Sequence, residues 1–437
     1  MGLERVNQVR TTLGLTPSFP IITVGGTNGK GSTCAMLEAI LSRAGYRVGC
    51  YTSPHLLRYN ERVRIHQQEV SDEDLCGAFA ATESARVSSD VSLTYFEFGT
   101  LAAMQLFIQA GVEIAILEVG LGGRLDAVNI FDADCAVLTS IGLDHMEYLG
   151  DTREKIGFEK AGIFRSGQAA ICSDPDVPDS IRQHANAIGA NFMHIGEHFG
   201  YSANTNHSGQ AILKDSDLLR AIKPARAESY VQWDFWGAGG KRHSLPHPAM
   251  RGAFQLQNAS ACLAALDIVK DRLPVSMSDI RQGLLEAALP GRFQVLPGRP
   301  VTVLDVAHNP SAAQALAANL GNMGFFQNTY AIFGMLRDKD MAGVARALRP
   351  GVDVWLAAGI NAPRGASAAE IAQVLEGAGI VKMGAGGAGP IHTFPDPASA
   401  YAFACEQATE NDRICVFGSF HTVGDVLRYR NSMKHKQ

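Results

Sequence analysis

Short runs of hydrophobic residues, each followed by a polar or glycine-rich turn, recur along the chain and predict its strands and helices. In the first two thirds these runs predict buried strands at 21–24, 46–52, 112–119 and 136–141. Amphipathic stretches between and after them predict helices at 32–44, from 71, at 96–110, from 152, near 255–270 and near 278–288. Between 191 and 247 the pattern is irregular and yields no functional residues.

A second series of strands and helices begins after the segment Leu-Pro-Gly-Arg at 289–292, which is typical of a linker. Strands are expected at 301–306, 329–334, 352–357 and 413–417, with a weaker one near 391. The alternation of strands with helices predicts α/β folds with mostly parallel sheets. We therefore predict an N-terminal domain at 1–290 and a smaller, Rossmann-like C-terminal domain at 291–437.

The glycine-rich turn between the first strand and the first long helix, residues 25–32, carries the clearest chemistry. Backbone N–H groups in such a turn bind phosphates, Lys30 adds a positive charge, and Ser32 can reach a Mg²⁺ ion. The usual pattern would need glycine at Val24 and a hydroxyl at Gly31, so a turn without ligand is the alternative. Lysine beside hydroxyl groups between a strand and a helix favours phosphate binding, and hence a P-loop-type ATPase domain.

Composition narrows the class of function. A net charge of −5 argues against a nucleic-acid partner, and no apolar run approaches the roughly 20 residues of a membrane span. The eight cysteines form no Cys-x-x-Cys pair, so buried thiols in a reducing cytoplasm are expected. The glycines at 120, 122 and 123 fail the dinucleotide pattern, because its third glycine would have to replace Leu125. No organic redox cofactor is therefore predicted.

Polar side chains follow several predicted strands, at the sheet edge where ligands bind. In the N-terminal domain, Glu118 and His145 hold such positions and suggest a metal site; a solvent-facing glutamate and a structural histidine are the alternatives. In the C-terminal domain, the loops holding Asp305 with His308, and Ser419, suggest a second substrate site or helix caps. For Lys160, spacing alone favours a solvated helix lysine.

Several motifs together resemble the folate branch of the Mur ligase superfamily, whose bacterial members are bifunctional dihydrofolate synthase/folylpolyglutamate synthases. The resemblance spans residues 2–424. Its clearest motifs, between 26 and 310, are Gly-Thr-Asn-Gly-Lys-Gly-Ser, Thr-Ser-Pro-His-Leu, Leu-Thr-Tyr-Phe-Glu, Leu-Glu-Val-Gly-Leu-Gly-Gly-Arg-Leu-Asp-Ala, Glu-Lys-Ala-Gly-Ile, Leu-Pro-Gly-Arg-Phe-Gln and Asp-Val-Ala-His-Asn-Pro. The resemblance implies a Mur-ligase-type ATP-binding domain followed by a glutamate-ligase domain.

The resemblance also implies site residues, position by position. ATP contacts would come from Thr27, Asn28, Gly29, Lys30, Gly31, Ser32, Asn258, Arg292 and Asp305. Two Mg²⁺ ions would be ligated by Ser32, Ser53, Glu118 and His145. The pteroate pocket would include Thr94, Tyr95, Phe96, Glu97, Leu125, Asp126 and Ala127, and the incoming glutamate would meet His308 and Ser419. Catalytic roles would belong to Lys30, His308 and Lys160, which matches a lysine that family members carboxylate.

The implied reaction is ATP-dependent amide formation through an acyl phosphate. L-glutamate would be added to 7,8-dihydropteroate and to folyl-glutamates by a monomeric enzyme without nucleic-acid or membrane partners. Four alternatives stay open: a monofunctional folylpolyglutamate synthase, a ligase for a UDP-linked peptidoglycan precursor, a phosphoryl-transfer kinase and a non-catalytic nucleotide switch.

Overall fold

The computed structural model describes residues 2–203, 232–252, 254–380 and 391–434. The N-terminal unit contains eleven strands in these ranges: β1 (Ile21–Gly25), β2 (Val48–Tyr51), β3 (Val63–Ile65), β4 (Gln68–Glu69), β5 (Ile114–Glu118), β6 (Cys135–Leu138), β7 (Ala169–Cys172), β8 (Asn191–His194), β9 (Gly200–Ala203), β10 (Trp233–Gly237) and β11 (Gly240–Leu245). Its described helices are α1 (Glu4–Thr12), α2 (Lys30–Arg43), α3 (Asp72–Ser88), α4 (Tyr95–Ala110), α5 (Met146–Leu149), α6 (Arg153–Ala161), α7 (Asp179–Ile188), α8 (Phe254–Val269) and α9 (Met277–Glu286). Short 3₁₀ turns lie at Tyr59–Arg62 and Ala127–Ile130.

The first sheet has eight strands in the order β4-β3-β2-β5-β1-β6-β7-β8, parallel from β2 to β8. Strand β1 lies between β5 and β6, with Val24 paired to both Glu118 and Val137. All five residues of β1 are buried, which is why the sequence shows a continuous β-branched run rather than alternation. A smaller antiparallel sheet, β11-β10-β9, is formed by residues of the stretch 191–247, whose sequence pattern is irregular. Residues 204–231 of this stretch lie outside the described residues.

Two hydrophobic layers cover the faces of the large sheet. One layer contains residues of α1, α3, α4, α6 and α7, and the other contains residues of α2, α8 and α9 together with Trp233. Helix α2 is buried from Gly31 to Ser42 because it lies between the sheet and α8 and α9. An added Cβ at Gly283 would lie 2.6 Å from the Ile40 Cα, so this glycine permits the close approach of α9.

The C-terminal unit has a six-stranded sheet in the order β12-β13-β17-β14-β15-β16, parallel except for β12. Its strands are β12 (Gln294–Leu296), β13 (Val301–Leu304), β14 (Thr329–Phe333), β15 (Val354–Ala358), β16 (Ile391–Phe394) and β17 (Arg413–Phe417). Its described helices are α10 (Pro310–Gly321), α11 (Met341–Leu348), α12 (Ala368–Gly377), α13 (Pro397–Gln407) and α14 (Phe420–Lys434), and a 3₁₀ turn lies at Arg349–Gly351.

The structure confirms the predicted α/β architecture, with two mostly parallel sheets and every predicted strand present within two or three residues. The start of α2 is a correction: the helix begins at Lys30 rather than Ser32, because Gly29 adopts a left-handed φ of 91° and ends the loop earlier. The division at 290/291 stays a prediction.

Cys76 and Cys405 are exposed and the other six cysteines are buried thiols. Among the described helices, none combines the length and hydropathy that a bilayer span requires.

Candidate active site

The carboxyl ends of the central strands of both sheets face one cleft. On the N-terminal side lie the loops after β1, β5 and β6, and on the C-terminal side the loops after β13, β14 and β17. Asn28 and Asn309 exchange side-chain hydrogen bonds across the cleft, at 3.4 and 3.1 Å. The two sheets therefore contribute to a single site rather than to separate ones.

The glycine-rich loop after β1 is held in a fixed shape by the end of β6. The Thr27 N–H donates to the Ser140 carbonyl at 2.6 Å, and the Thr139 hydroxyl donates to the Asn28 carbonyl at 2.6 Å. Gly26 has φ +143°, and an added Cβ there would lie 1.9 Å from the Thr139 Oγ1, so only glycine fits. The Lys30 ammonium donates to the Gly26 and Thr27 carbonyls, at 3.1 and 3.3 Å. It lines the end of the cleft beside the glycine-rich loop, which we call the phosphate end because this loop is predicted to bind phosphate.

Glu118 places a buried carboxylate directly beside this loop. Only 4% of the residue is exposed, its Oε2 accepts a hydrogen bond from the Ser53 N–H at 3.0 Å, and its Oε1 lies 3.7 Å from where a Cβ on Gly31 would be. Burial raises the pKa of Glu118, while the charges of Lys30 and Arg292 lower it in part. An electron-rich oxygen in front of a phosphate loop is the type of donor that Mg²⁺ prefers.

His145 lines the same end of the cleft, after β6, in a left-handed conformation with φ 52°. Burial is the main cause that lowers its pKa to about 4, so the imidazole is neutral at pH 7 and has a lone pair to offer a metal. Within the described residues no three His, Cys, Asp or Glu side chains converge as a complete metal site. Ser53, Glu118 and His145 line one cavity and offer the donor types of a partial Mg²⁺ site, whose other ligands would be phosphate and water oxygens.

Lys160 shows the largest difference from the expectation based on spacing. Instead of being solvated, the residue is 4% exposed and its Nζ donates to the Gly26 carbonyl at 2.8 Å, because α6 turns this side chain toward the glycine-rich loop. Burial, and then the nearby charge of Lys30, lower the pKa of Lys160 to about 7. The solvated helix lysine that spacing alone favoured at this position is therefore wrong.

Three other predicted nucleotide contacts lie behind the lining of the cleft. The Ser32 hydroxyl is buried and accepts a long hydrogen bond from Gln255 at 3.4 Å. Asn258 also contacts Gln255 and packs under Gly29, where an added Cβ would lie 2.5 Å from the Asn258 Oδ1. Asp305 accepts the N–H groups of Phe293 and Ala307 at 2.8 Å, beside Arg292, which lines the phosphate end.

The predicted acid-substrate residues line a larger cavity of about 860 Å³ that adjoins the phosphate end. Its wall includes Thr94, Phe96, Glu97, Leu125, Asp126, Ala127, His308 and Ser419. Burial raises the pKa of Asp126 to about 6, although its carboxylate accepts N–H groups from Leu121 and Val128. Tyr95 is not part of this wall: it is 63% exposed and its ring packs edge-on against Tyr59.

Sequence reasoning missed a contact that joins the two halves of the cleft. Lys339, on the loop after β14, donates to the Asp144 Oδ1 at 2.7 Å and lies 3.2 Å from the His145 Nε2. The His308 Nε2 lies 3.5 Å from the other oxygen of Asp144. Burial opposes ionisation, but the hydrogen bonds from His308 and Lys339 hold the pKa of Asp144 well below its usual range. The charged run directly after the predicted strand at 329–334 was the signal available for Lys339.

Comparisons with protein families match most of the chain. The Mur ligase middle domain matches residues 24–266, and the Mur ligase glutamate ligase domain matches residues 291–420. The chain is 44% identical over 428 residues to the dihydrofolate synthase/folylpolyglutamate synthase of Escherichia coli K12, covering 98% of this chain and 90% of that protein. It is 38% identical over 452 residues to the Haemophilus influenzae protein of the same name, covering 97% and 92%.

Solved structures agree with these sequence matches. Escherichia coli FolC in complex with DHPP and ADP superposes with a TM-score of 0.86 at 42% identity, covering 99% of this chain and 94% of that one. A bifunctional folylpolyglutamate synthase/dihydrofolate synthase with Mn, AMPPNP and L-glutamate bound gives a TM-score of 0.84 at 43% identity, with 99% and 94% covered.

Proposed function

The chain belongs to the Mur ligase family, and within it to the dihydrofolate synthase/folylpolyglutamate synthases; from this premise we propose that it adds L-glutamate to 7,8-dihydropteroate and to folyl-glutamates with consumption of ATP. The observation that carries the proposal is the shared cleft. A phosphate loop with Lys30 and Glu118 opens into the cavity lined by Leu125 and Asp126, and a second sheet closes it. An amide ligase needs these three parts together, whereas a kinase needs no glutamate domain and a nucleotide switch needs only the phosphate loop.

The first step joins the phosphate end to the acid-substrate cavity. A carboxylate oxygen of the acid substrate attacks the γ-phosphorus of ATP, the bond to the β-phosphate oxygen breaks, and ADP leaves. Lys30 stabilises the negative charge that develops on the phosphoryl oxygens, and Thr27–Ser32 with Asn258, Arg292 and Asp305 position the nucleotide. Mg²⁺, as two ions held by Ser32, Ser53, Glu118 and His145, would neutralise further charge on these oxygens when bound.

The second step forms the amide. The amine of L-glutamate attacks the acyl phosphate carbonyl, the nitrogen loses a proton, and inorganic phosphate leaves. His308 and Ser419 line the cavity from the C-terminal side and are the residues that we assign to the incoming glutamate. Because the acyl phosphate reacts with water, the contacts across the cleft protect it as well as align the reactants.

Lys160 is assigned a modified state. With a pKa of about 7, a large share of its side chain is a neutral amine at pH 7 and can attack CO₂, which forms a carbamate and releases one proton. The resulting carboxylate would lie beside Lys30 and the Gly26 carbonyl, where it converts a buried positive charge into a negative one that favours cations.

Mass spectrometry of the products tests the proposed function. Purified full-length protein with ATP and L-glutamate is expected to convert dihydropteroate into a product one glutamyl residue heavier, and folyl-monoglutamate into the diglutamate, with one ADP for each bond. Lys30→Ala should abolish both products. ADP release that does not depend on glutamate would support the kinase reading, and ATP binding without turnover would support the switch. Gel filtration tests the predicted monomer.

A further inference from the structure

The large cavity contains a positive charge without a carboxylate partner. Among the described residues, five arginine and lysine side chains line this cavity. Four of them form ion pairs within the protein: Arg5 with Glu97, Lys339 with Asp144, Arg364 with Asp338 and Arg428 with Asp425. The fifth, Arg62, makes no ion pair with any carboxylate of the described part of the chain.

Arg62 is also the kind of charge that needs a partner, because the residue is only 8% exposed. Its Nε donates to the His55 Nδ1 at 2.8 Å, and its guanidinium carbon lies 5.3 and 5.4 Å from the ring centres of Tyr59 and Tyr95. These contacts fix the plane of the guanidinium but supply no negative charge. A guanidinium that is this deeply buried is normally paired with an anion.

The protein itself has no free anion to supply at this wall. Three carboxylates line the cavity in the described ranges, and each is already engaged. Glu97 binds Arg5 and the Thr94 N–H, Asp126 accepts two backbone N–H groups, and Glu159 pairs with Arg124. The partner of Arg62 is therefore expected to arrive with a ligand.

We propose that Arg62 binds the α-carboxylate of the terminal glutamyl residue of a folyl-glutamate substrate, and so serves the second ligase activity rather than the first. This inference rests on the proposed function. Dihydropteroate carries one carboxylate, which must reach the phosphate end to be activated. A folyl-glutamate carries a second carboxylate, whose carbon lies four bonds along the chain from its reacting γ-carboxyl carbon, and only this substrate has a spare anion.

The position of Arg62 favours the α-carboxylate over the reacting carboxylate as its partner. The phosphate end of the cleft is lined by Lys30, Glu118 and Arg292, and Arg62 is absent from that lining although it faces the larger cavity. Arg62 ends the 3₁₀ turn on the same wall as Thr94 and Phe96, in the N-terminal unit. The residues assigned to the incoming glutamate, His308 and Ser419, belong to the C-terminal unit.

The experiment compares Arg62→Gln with wild type on three acid substrates: dihydropteroate, folyl-monoglutamate, and the analogue in which 4-aminobutyrate replaces glutamate. The analogue retains the reacting carboxylate and lacks only the α-carboxylate. We expect kcat/KM for folyl-monoglutamate to fall about 30- to 300-fold, as for truncation of one partner of a buried charge pair. Values for dihydropteroate and for the analogue should change less than about 3-fold.

Two controls separate this role from a structural one. Arg58→Gln removes a neighbouring arginine that is exposed and pairs with Asp72, and it should leave all three substrates unaffected. Arg62→Lys keeps the charge but loses the planar, bidentate donor set, so partial recovery for folyl-monoglutamate alone is expected. Retained dihydropteroate activity in Arg62→Gln shows directly that the variant is folded.

The possible results are distinguishable. Equal losses on all three substrates would overturn the proposal, as would a raised KM for L-glutamate with either acid, which would assign Arg62 to the incoming amino acid. An equal loss for folyl-monoglutamate and its 4-aminobutyrate analogue would also overturn it. If wild type ligates glutamate to none of the acids, the proposed function fails, independently of Arg62.

Discussion

The buried amine of Lys160 gives the most quantitative prediction, because the same shifted pKa governs both modification and stability. The side chain is 4% exposed, contacts the Gly26 carbonyl and lies near the charge of Lys30. Its pKa is lowered from 10.5 to about 7. At pH 7 about half of the side chain is neutral, against roughly one part in 3,000 for a lysine of pKa 10.5, so the amine available to CO₂ rises by about 1,500-fold.

The perturbation is Lys160→Met, which keeps the length of the side chain and removes the amine. Lys155→Met is the matched control, because Lys155 lies on the same helix, is exposed and pairs with Asp151. In ¹³C-bicarbonate at pH 7 to 8, wild type and Lys155→Met should show a carbamate carbon resonance that Lys160→Met lacks. Ligase activity should fall at least 100-fold in Lys160→Met and recover in part with added formate or acetate.

The stability effect has a defined sign. The folded-state pKa lies below the unfolded one, so between pH 7 and 10.5 the unfolded chain binds the proton that the native chain has lost. In CO₂-free buffer without nucleotide, the free energy of unfolding of wild type should therefore rise with pH relative to that of Lys160→Met. The slope reaches 1.36 kcal/mol per pH unit only once the native lysine is deprotonated, so the difference between the two proteins should change by about 2 kcal/mol between pH 7 and 9.

Two results would refute this reasoning. One is a difference in unfolding free energy between wild type and Lys160→Met that does not vary from pH 7 to 9, which would mean that the buried amine titrates normally. The other is a carbamate resonance that persists in Lys160→Met and disappears in Lys155→Met. In either case the helix lysine would have no special chemistry, and the site would need another source of negative charge.

Three further changes test other parts of the molecule. Glu118→Gln removes a buried charge whose pKa is raised by burial, so we expect unchanged or higher thermal stability by calorimetry, together with at least a 100-fold loss of ADP release. Arg64→Met leaves Glu38 buried without its partner, 2.7 Å away, and should lower the free energy of unfolding by about 3 kcal/mol; an unchanged urea midpoint would contradict this. Lys339→Met removes the ion pair with Asp144 across the cleft, and small-angle scattering with ATP bound should show a larger radius of gyration than for wild type.

The parts of the fold that were predictable from sequence depend on local patterns. Strand β1 is a continuous run of buried residues because hydrophobic layers cover both faces of its sheet, and the glycines after it are required where φ is positive. Glu118 and His145 were placed near each other because parallel strands align their carboxyl ends. The resemblance to a family added roles for these residues, and these roles stay predictions.

The remaining features depend on contacts between segments far apart in the chain. Lys160 has ordinary helical spacing, and only the packing of α6 against a loop 134 residues earlier makes its environment unusual. The pair of Lys339 and Asp144 is separated by 195 residues and joins two sheets. Arg62 has no carboxylate partner because the carboxylates that line the cavity are already engaged with other groups. Recognising this requires the contacts of all these residues together. No local pattern can report such facts.

Adjacent residues on one loop connect closure of the cleft to the phosphate end. The Asp144 carboxylate contacts Lys339 and His308 of the C-terminal unit. The next residue, His145, has a left-handed backbone conformation and lines the phosphate end. Loss of the Lys339 contact would free the peptide that positions His145, so an open cleft would both admit water and loosen the phosphate end. Turnover should then become uncoupled in Lys339→Met, with more ADP released for each amide bond formed than in wild type. An unchanged ratio would show that closure and phosphoryl transfer are independent.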